Sequence, residues 1–287
     1  MNKIGIIGGS ALYEMKGMKI LEKKKVSTPF GEPSDELVFG ELGDKGVVFL
    51  PRHGRAHSIS PSEINFRANI YALKVIGVDR VISVSAVGSL KEEIRPSDVL
   101  LVDQFVDRTN QGRPTTFFGD GIVAHVSMAD PVCGELRQSI LDNSRGTGAK
   151  VHERGIYLNM EGPAFSTRAE SALYRSWGMD VIGMTNMQEA RLAREAGMCY
   201  ATIAMITDYD CWRTGKDAES VTIEMIIRTV AKNIDTAKKI LSATIKHMPQ
   251  KRSCVCGRAL ENAIFTPKEH VPQTTLDRLR PIIDGFI

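Results

Sequence analysis

Residues 3–10 read Lys-Ile-Gly-Ile-Ile-Gly-Gly-Ser, a short apolar run that ends in two glycines and a serine. A short apolar run bounded by turn residues predicts a strand that is buried on both faces, as in a parallel sheet. The same pattern returns at residues 80–86, 155–160, 180–184 and 199–207, with helical patterns between the runs. This alternation is typical of an α/β fold.

Further apolar patterns extend the alternation along the chain. Residues 37–50 predict two strands around the turn 43–46, and residues 99–106 predict one more. Ser62 is expected to cap the first helix, because serine accepts hydrogen bonds from the first helical N–H groups. The helices are predicted at residues 64–76, 131–143, 167–177, 186–196 and 220–247.

No stretch rich in proline, glycine or serine divides the 287 residues. We therefore expect a single α/β domain over residues 1–287, with a central mixed, largely parallel β-sheet flanked by helices. Residues 248–287 are expected to form a less regular extension of the same domain. A content of 43% hydrophobic and 25% charged residues is ordinary for a globular protein and argues against general disorder.

Charge and hydropathy exclude several classes of protein. The net charge of +3, from 37 basic and 34 acidic residues, is too balanced to indicate nucleic-acid binding. The sequence contains no run of about 18 apolar residues, so we expect no membrane span. The apolar run near residue 1 is too short for the core of a signal peptide, and we expect a cytoplasmic protein.

The five cysteines do not indicate the disulfide framework of a secreted protein, because their number is odd and low for the length. Cys254-Val255-Cys256 lacks the spacing of a C-x-x-C zinc or redox site, and no second pair that would complete a zinc site is evident. Two buried thiols, or a disulfide or redox pair, remain as alternatives at this position.

Polar residues follow the predicted strands at the points where they end. In open α/β sheets, ligands bind beyond the carboxyl ends of the strands, so these loops are expected to form one pocket. The loops are Gly8-Gly9-Ser10, Arg52-His53, Ser85-Ala86, Met184-Thr185 and Asp208-Tyr209-Asp210.

Two of these loops favour an oxyanion. Backbone N–H groups near Gly8-Gly9-Ser10 can approach an anion, but the loop is neither a G-x-G-x-x-G motif nor a P-loop, which argues against a dinucleotide or a triphosphate. Residues 51–57 read Pro-Arg-His-Gly-Arg-Ala-His, and the arginines offer planar donors to phosphate oxygens. His53 and His57 lie four residues apart, but no carboxylate ligand is near, so we expect an anion site and no metal.

Asp208 and Asp210 follow the last predicted strand. Side chains two residues apart point to the same side of an extended chain, so the two carboxylates are expected to lie together. Close like charges raise the pKa of one of them, which then holds a proton near neutral pH and can donate it to a ring nitrogen. A solvated acidic turn is the alternative for an isolated pair of this kind.

Taken together, five stretches make the sequence similar to the trimeric purine nucleoside phosphorylase family. The resemblance covers nearly the whole chain. It implies a nucleoside phosphorylase fold and phosphorolysis, in which inorganic phosphate attacks C1′ of a ribose as the purine leaves. It also implies that phosphate is a co-substrate, that no cofactor is needed, and that the protein is a homotrimer or a dimer of trimers. The stretches are residues 51–57, 85–90, 161–166, 184–190 and 207–212.

The same resemblance implies a role for individual residues. Asp208 and Asp210 match the catalytic carboxylates at the purine N7 and 6-amino edge, Phe165 the aromatic ring on the purine, and Met184 the residue against the ribose. The 5′-methylthio pocket is implied at Val221 and Met225, with His125 supplied by a neighbouring subunit. The phosphate site is implied at Ser10, Arg52, His53, Ser85, Ala86 and Thr185, and Ser166 lies in the purine site.

The implied substrate is 5′-methylthioadenosine, and the alternative is a 6-oxopurine nucleoside such as inosine, guanosine or 5′-methylthioinosine. An ionised aspartate only accepts hydrogen bonds, so Asp208 suits a 6-amino group better than a 6-oxo group. Relatives that prefer 6-oxopurines tend to carry Asn at this position and Glu at the position of Ser166. A nucleoside-binding or NAD-linked protein without phosphorolytic activity is a second alternative, disfavoured by the missing G-x-G-x-x-G motif.

Overall fold

One sheet of eleven strands organises the part of the chain that the computed structural model describes, residues 3–213 and 223–287. Its strands are β1 (Lys3–Gly8), β2 (Met18–Lys24), β3 (Leu37–Leu42), β4 (Lys45–Pro51), β5 (Val78–Ser89), β6 (Val99–Leu101), β7 (Gln104–Arg108), β8 (Val151–His152), β9 (Ile156–Met160), β10 (Val181–Gly183) and β11 (Cys199–Asp208). The helices are α1 (Phe66–Val75), α2 (Gly134–Ser144), α3 (Arg168–Ser176), α4 (Asn186–Glu195), α5 (Ile223–His247) and α6 (Gln273–Ile283).

The sheet is mixed and mostly parallel, as the sequence predicts. Its main path runs β2-β3-β4-β1-β5-β10-β9-β7, and β11 joins β5 to β6, which in turn pairs with β8. Parallel pairing links β1 to β4 and β5, β5 to β11, and β9 to β7 and β10, whereas β2, β3 and β4 form an antiparallel meander. The parallel centre therefore brings the carboxyl ends of β1, β4, β5 and β11 to one edge.

Helices cover both faces of the sheet. Consecutive residues of a strand point to opposite sides, so each central strand contributes to two cores. Ile6 of β1 belongs to a core that also contains Ile140 of α2 and Ile240 of α5. The next residue, Ile7, belongs to the opposite core, with Ile70 of α1 and residues of α4 and α6. Apolar side chains fill both layers, which explains why the central strands read as continuous apolar runs.

Several boundaries differ from the prediction. Helix α1 is capped by Asn65, whose side chain accepts from the Ala68 N–H, while the predicted cap Ser62 donates to Glu161 instead. The predicted strand 99–106 is two strands, because the chain leaves β6 beside β11 and enters β7 beside β9. Helix α2 begins only after Cys133, whose sulfur is the cap.

The C-terminal extension packs against α1. In helix α6, Leu279 and Ile282 are buried, and the hydroxyl of Tyr71 donates to the carbonyl of Arg278 at 2.9 Å. None of the helices described, over residues 3–213 and 223–287, is long and apolar enough to cross a membrane.

Because central strands are buried on both faces and the edge strand β2 is exposed, the effect of a substitution on stability is expected to depend on its position in the sheet. Ile6 is 1% exposed and Ile20, on the edge strand β2, is 46% exposed. We expect Ile6→Ala to lower the free energy of unfolding by about 2–5 kcal/mol, because it removes packed methyl groups and leaves a cavity. The matched control Ile20→Ala is expected to change it by less than about 0.5 kcal/mol. Urea unfolding at one protein concentration measures both, and equal effects would contradict the burial pattern.

Candidate active site

The carboxyl ends of three adjacent strands meet at the start of the site. Gly8 at the end of β1 lies opposite Pro51 of β4, and Ile7 lies opposite Ser83 of β5. The N–H of Arg52 donates to the carbonyl of Gly8 at 3.1 Å, which fixes the loop after β4 beside the glycines. The loops that the sequence singled out therefore converge, as expected.

A cavity of about 190 Å³ lies at this junction. Ser10 and His53, which resemblance assigned to a phosphate site, both line it. Gly9 has no neighbouring atom within 4 Å of the position where a Cβ would stand, so its backbone faces open space. The lining residues are Gly8, Gly9, Ser10, Ala11, His53, Gly54, Arg55 and His57.

Arg52 directly precedes His53 of the cavity lining, and its side chain is anchored by other side chains of the protein. Its Nε donates to Oε1 of Glu189 at 2.5 Å and its Nη2 to Oε2 at 3.2 Å, which is a bidentate pair. Nη1 donates to the Val84 carbonyl at 3.1 Å and Nη2 to the Ser83 hydroxyl at 2.5 Å. Of the five N–H groups that a guanidinium offers, these bonds to described residues leave one on Nη1 for a ligand.

Glu189 is a site residue that the sequence reasoning missed. Besides Arg52, its carboxylate accepts hydrogen bonds from the hydroxyls of Ser83 and Tyr200, at 2.9 and 2.8 Å. Burial works to lower the pKa of Arg52, but the charge of Glu189 outweighs it and the pKa lies above its ordinary value. The signal that could have revealed Glu189 was an acidic residue inside the stretch 184–190, which is one of the five stretches that resemble the family.

His53 is held as a neutral ring. Burial, reinforced by the positive charge of Arg52, lowers the pKa of His53 to about 4. Its Nδ1 lies 2.8 Å from the Ile59 carbonyl, which can only accept, so Nδ1 carries the proton. Nε2 is then an acceptor, and it suits a protonated oxygen of phosphate rather than a bare anionic one.

Ser85, Ala86 and Thr185 complete the predicted phosphate residues. Ser85 and Ala86 follow Ser83 on β5, and Ala86 is exposed. Thr185 immediately precedes α4, and its hydroxyl makes no capping hydrogen bond within that helix. The next residue, Asn186, donates to the Ser83 hydroxyl at 2.8 Å, which joins the start of α4 to β5. The structure thus collects the predicted phosphate residues around the ends of β1, β4 and β5 and the start of α4.

Asp208 and Asp210 are adjacent, but not for the predicted reason. Asp210 has φ +51°, so the chain turns after β11 instead of continuing as an extended strand. The turn directs the Asp210 N–H to Oδ1 of Asp208 at 2.7 Å. A Cβ on Gly88 would stand 3.0 Å from that Oδ1, so a side chain at this position of β5 would crowd the pair.

Burial, more than repulsion between the carboxylates, sets their acidity. It raises the pKa of Asp208, although hydrogen bonds from Thr207 and the Asp210 N–H oppose the rise. It also raises the pKa of Asp210, and the negative charge of Asp208 adds a smaller contribution. The sequence analysis predicted a raised pKa correctly, but it attributed the rise to repulsion between the two carboxylates, which is the smaller cause.

A second buried ion pair organises the loop at 161–166. Glu161 accepts from Arg113 Nε at 2.8 Å and from the N–H groups of Asn110 and Gln111 at 2.9 and 3.1 Å. Burial works to raise the pKa of Glu161, but its hydrogen bonds, led by that from Ser62, hold it at about 2. The sequence reasoning did not single out Arg113.

Arg113 also connects this loop to Met184. Its Nη1 donates to the Met184 carbonyl at 2.5 Å, and the backbone of Gly162 packs against the Met184 side chain. The carbonyl of Ser166 accepts from the Cys211 thiol at 3.1 Å, next to Asp210. Phe165 is 44% exposed on the same loop, so its ring is free to cover a ligand. Phe165, Ser166 and Met184 therefore lie in loops that border the carboxylate pair.

The predicted 5′ pocket is only partly described. Val221 lies outside the described residues, and Met225 lies in α5 with a side chain that is outside them as well. His125 is exposed, and its backbone N–H donates to the Ala263 carbonyl at 2.8 Å. The role of these three residues stays a prediction.

Residues 3–246 match the family model of the phosphorylase superfamily. The chain belongs to this superfamily. The family resemblance and the α/β nucleoside phosphorylase fold expected from the sequence are thereby confirmed.

Relatives within the phosphorylase superfamily cover the whole chain. The S-methyl-5′-thioadenosine phosphorylase of Koribacter versatilis is 54% identical over 99% of this chain and 96% of its own. The protein of the same name in Geobacter sulfurreducens is 52% identical over 99% of both. A methylthioadenosine phosphorylase from an antarctic soil metagenomic library has a crystal structure with a TM-score of 0.91 and 45% identity over 98% of both chains. The enzyme of Schistosoma mansoni in complex with adenine has a TM-score of 0.84 and 37% identity, over 90% of this chain and 96% of that one.

Because the ion pair between Arg52 and Glu189 is buried, loss of Glu189 is expected to destabilise the protein more than loss of an exposed acid. We expect Glu189→Ala to lower the free energy of unfolding by about 3–5 kcal/mol, because it leaves the Arg52 charge buried without a partner. Glu261→Ala, which removes an exposed acid paired with Arg258, is the control and is expected to cost less than about 1 kcal/mol. Chemical unfolding measures both. Similar values for the two variants would show that Arg52 does not depend on Glu189.

The acidity of His53 predicts a pH dependence of stability. An unfolded histidine has a pKa of about 6.5, and folding lowers that of His53 to about 4. The unfolded chain therefore binds this proton first as the pH falls, and the contribution of His53 to the free energy of unfolding decreases between about pH 6.5 and pH 4. We expect His53→Gln to reduce this slope, measured by unfolding at a series of pH values. His247→Gln, at the exposed end of α5, is the control, and an unchanged slope in His53→Gln would refute the assignment.

Proposed function

We propose that this chain cleaves 5′-methylthioadenosine with inorganic phosphate, giving adenine and 5-methylthioribose 1-phosphate. One observation carries the proposal: β5 runs beside β1, whose Gly8 lines the cavity, and Gly88 of β5 lies against Asp208 of the buried carboxylate pair. Ser85 and Ala86, which precede Gly88 on β5, are the proposed phosphate residues of this strand. Two to three residues of strand span roughly 7–10 Å, which leaves room for a ribose between phosphate and purine. The named relatives support the same reaction.

Phosphate is held and aligned at the first end. Ser10, the backbone beside Gly9, and the free N–H of Arg52 are donors, whereas Nε2 of His53 accepts the proton that phosphate carries near neutral pH. Because Glu189 fixes the Arg52 guanidinium before any ligand binds, little side-chain entropy remains to be lost on binding. An oriented phosphate oxygen then attacks C1′ of the ribose, where positioning contributes much of the rate.

The purine leaves at the second end. As the bond between C1′ and N9 breaks, its electron pair moves into the purine ring, which is a poor leaving group unless N7 is protonated or hydrogen-bonded. Burial raises the pKa of Asp208 and of Asp210, so a carboxyl of this pair can hold the proton that N7 needs. The exposed ring of Phe165 offers apolar area to the purine face.

One observation favours 6-oxopurine nucleosides as a second candidate. An ionised Asp208 accepts from a 6-amino group, but burial raises the pKa of this carboxyl, and a protonated carboxyl can donate to a 6-oxo group. Adenine-type substrates remain the first candidate, since the relatives at 54% and 52% identity carry the methylthioadenosine name.

The proposal also covers the oligomeric state, the cellular location and the cofactor requirement. We propose a homotrimer, or a dimer of trimers, in the cytoplasm, working without an organic cofactor or metal in the reaction and with phosphate as co-substrate. The support for a shared pocket is that His125 is exposed on its own chain while it resembles a residue that a neighbouring subunit contributes. Nucleic acid and membranes are not proposed as partners.

Base release from methylthioadenosine, adenosine and inosine, with and without phosphate, tests the proposed function. We expect release only with phosphate, and a kcat/KM for methylthioadenosine about 10- to 200-fold above that for adenosine, since a 5′-hydroxyl loses water in an apolar pocket. Inosine is expected to be the poorest of the three. Release without phosphate would refute phosphorolysis, and a preference for inosine would establish the second candidate.

Asp208→Asn tests the base preference. Asn presents an N–H to a 6-oxo group, so we expect the ratio of kcat/KM for methylthioadenosine over methylthioinosine to fall by at least about tenfold, the usual effect of one mismatched buried hydrogen bond. Asp44→Asn, in the exposed turn between β3 and β4, is the matched control. If Asp208→Asn and the control keep the same ratio, Asp208 does not face position 6 of the purine.

A further inference from the structure

Four of the five cysteines meet at the end of β11 that lies away from the active site. Their sulfur atoms all lie within 4.8 Å of one another. Cys199 begins β11 and Asp208 ends it, so the two sites are roughly 30 Å apart along an extended strand of this length. The cluster, which we call the cysteine tetrad, consists of Cys133, Cys199, Cys254 and Cys256.

The tetrad draws on three separate parts of the chain. Cys133 caps α2, Cys199 starts β11, and the C-x-C pair lies at the start of a short 3-10 helix, Val255–Arg258, in the C-terminal extension. The sequence analysis found no second pair of cysteines that could join Cys254 and Cys256. The structure places Cys133 and Cys199 beside them, and the long separations along the sequence hid that pair.

The distances fit one shared ion better than two disulfides. All four residues are free thiols, and the sulfurs of Cys199 and Cys254 are 3.2 Å apart. A disulfide needs about 2.05 Å and pairs the sulfurs two by two. A zinc ion bound at about 2.3 Å in a tetrahedron sets sulfurs about 3.8 Å apart, and this holds for all six pairs at once. Small movements of the side chains would convert the tetrad into that geometry.

Two contacts from outside the tetrad suit negative sulfur, although hydrogen bonds with Cys133 and Cys256 raise the pKa of Cys199. The N–H of Leu136, in the first turn of α2, donates to the Cys133 sulfur at 3.4 Å, and the positive end of the helix dipole faces the tetrad. The Arg252 guanidinium interacts with Cys199 and Cys254, and it is held there by the Gly197 carbonyl at 2.8 Å. An N–H donor and a nearby cation are the outer contacts that stabilise a site of four thiolates.

We propose that Cys133, Cys199, Cys254 and Cys256 bind one Zn²⁺ ion as a tetrahedral, structural site. Four thiols lose four protons to solvent as the ion binds, which leaves a complex with a net charge of −2 and no position open for catalysis. Three of the sulfur ligands are buried and Cys254 is partly exposed, which gives the ion a path of entry. The ion would fasten the C-terminal extension to α2 and β11.

Metal content is the first test. The chain, purified in reducing buffer without chelator and then desalted, is expected to contain one zinc per chain by plasma mass spectrometry. Cys133→Ser, Cys199→Ser, Cys254→Ser and Cys256→Ser are each expected to reduce that content well below half. Cys211→Ser replaces the one cysteine outside the tetrad and is expected to retain the full content. Loss of zinc in Cys211→Ser alone, or an equal zinc content in all five variants, would overturn the proposal.

Cobalt binding is the second test, and it needs no variant that could fail to fold. The metal-free, reduced protein is titrated with Co²⁺, and we expect intense visible bands of tetrahedral cobalt together with thiolate charge-transfer bands that saturate at one ion per chain. Zinc should remove both sets of bands. Weak bands typical of octahedral cobalt would overturn the proposal. So would a chain purified without reductant or chelator that holds no zinc and has a mass lower by four hydrogens, because two disulfides then stand in place of the ion.

Discussion

The ion pair between Arg52 and Glu189 is the constraint around which the site is built. Both side chains are almost fully buried, and a charge in that position is tolerated only with a well-placed partner. The pair and its hydrogen bonds to Ser83 and Tyr200 tie the loop after β4 to β5, α4 and β11. Four elements that come from distant parts of the chain are thereby set in one arrangement, next to the cavity that His53 lines.

The two ends of the site use burial in opposite ways. At the proposed phosphate end, desolvation keeps His53 neutral while Arg52 stays charged through Glu189, so a donor and an acceptor stand side by side. At the proposed purine end, desolvation favours the protonated form of Asp208 and Asp210. Loss of water thus suits both the anion site and the proton source that we propose.

The sequence predicted well what depends on local pattern. Central strands were found because a strand buried on both faces is a continuous apolar run, and Ser10 and His53 were found because they directly follow such runs. Glu189 was missed as an anchor, since a helix of mixed polarity does not reveal which polar residue faces inward. The position of Asp210 was expected from strand alternation, whereas a turn with positive φ produces it. The cysteine tetrad was missed because its members are far apart in the chain.

The C-terminal extension holds the loop that carries His125. The carbonyl of Ala263 accepts from the His125 N–H, and the Phe265 N–H donates to the Val123 carbonyl at 2.8 Å, so the two segments run as a short ladder. The match to the superfamily ends at residue 246, before this segment. A change in the C-terminal segment would therefore be passed to the His125 loop through these two backbone hydrogen bonds.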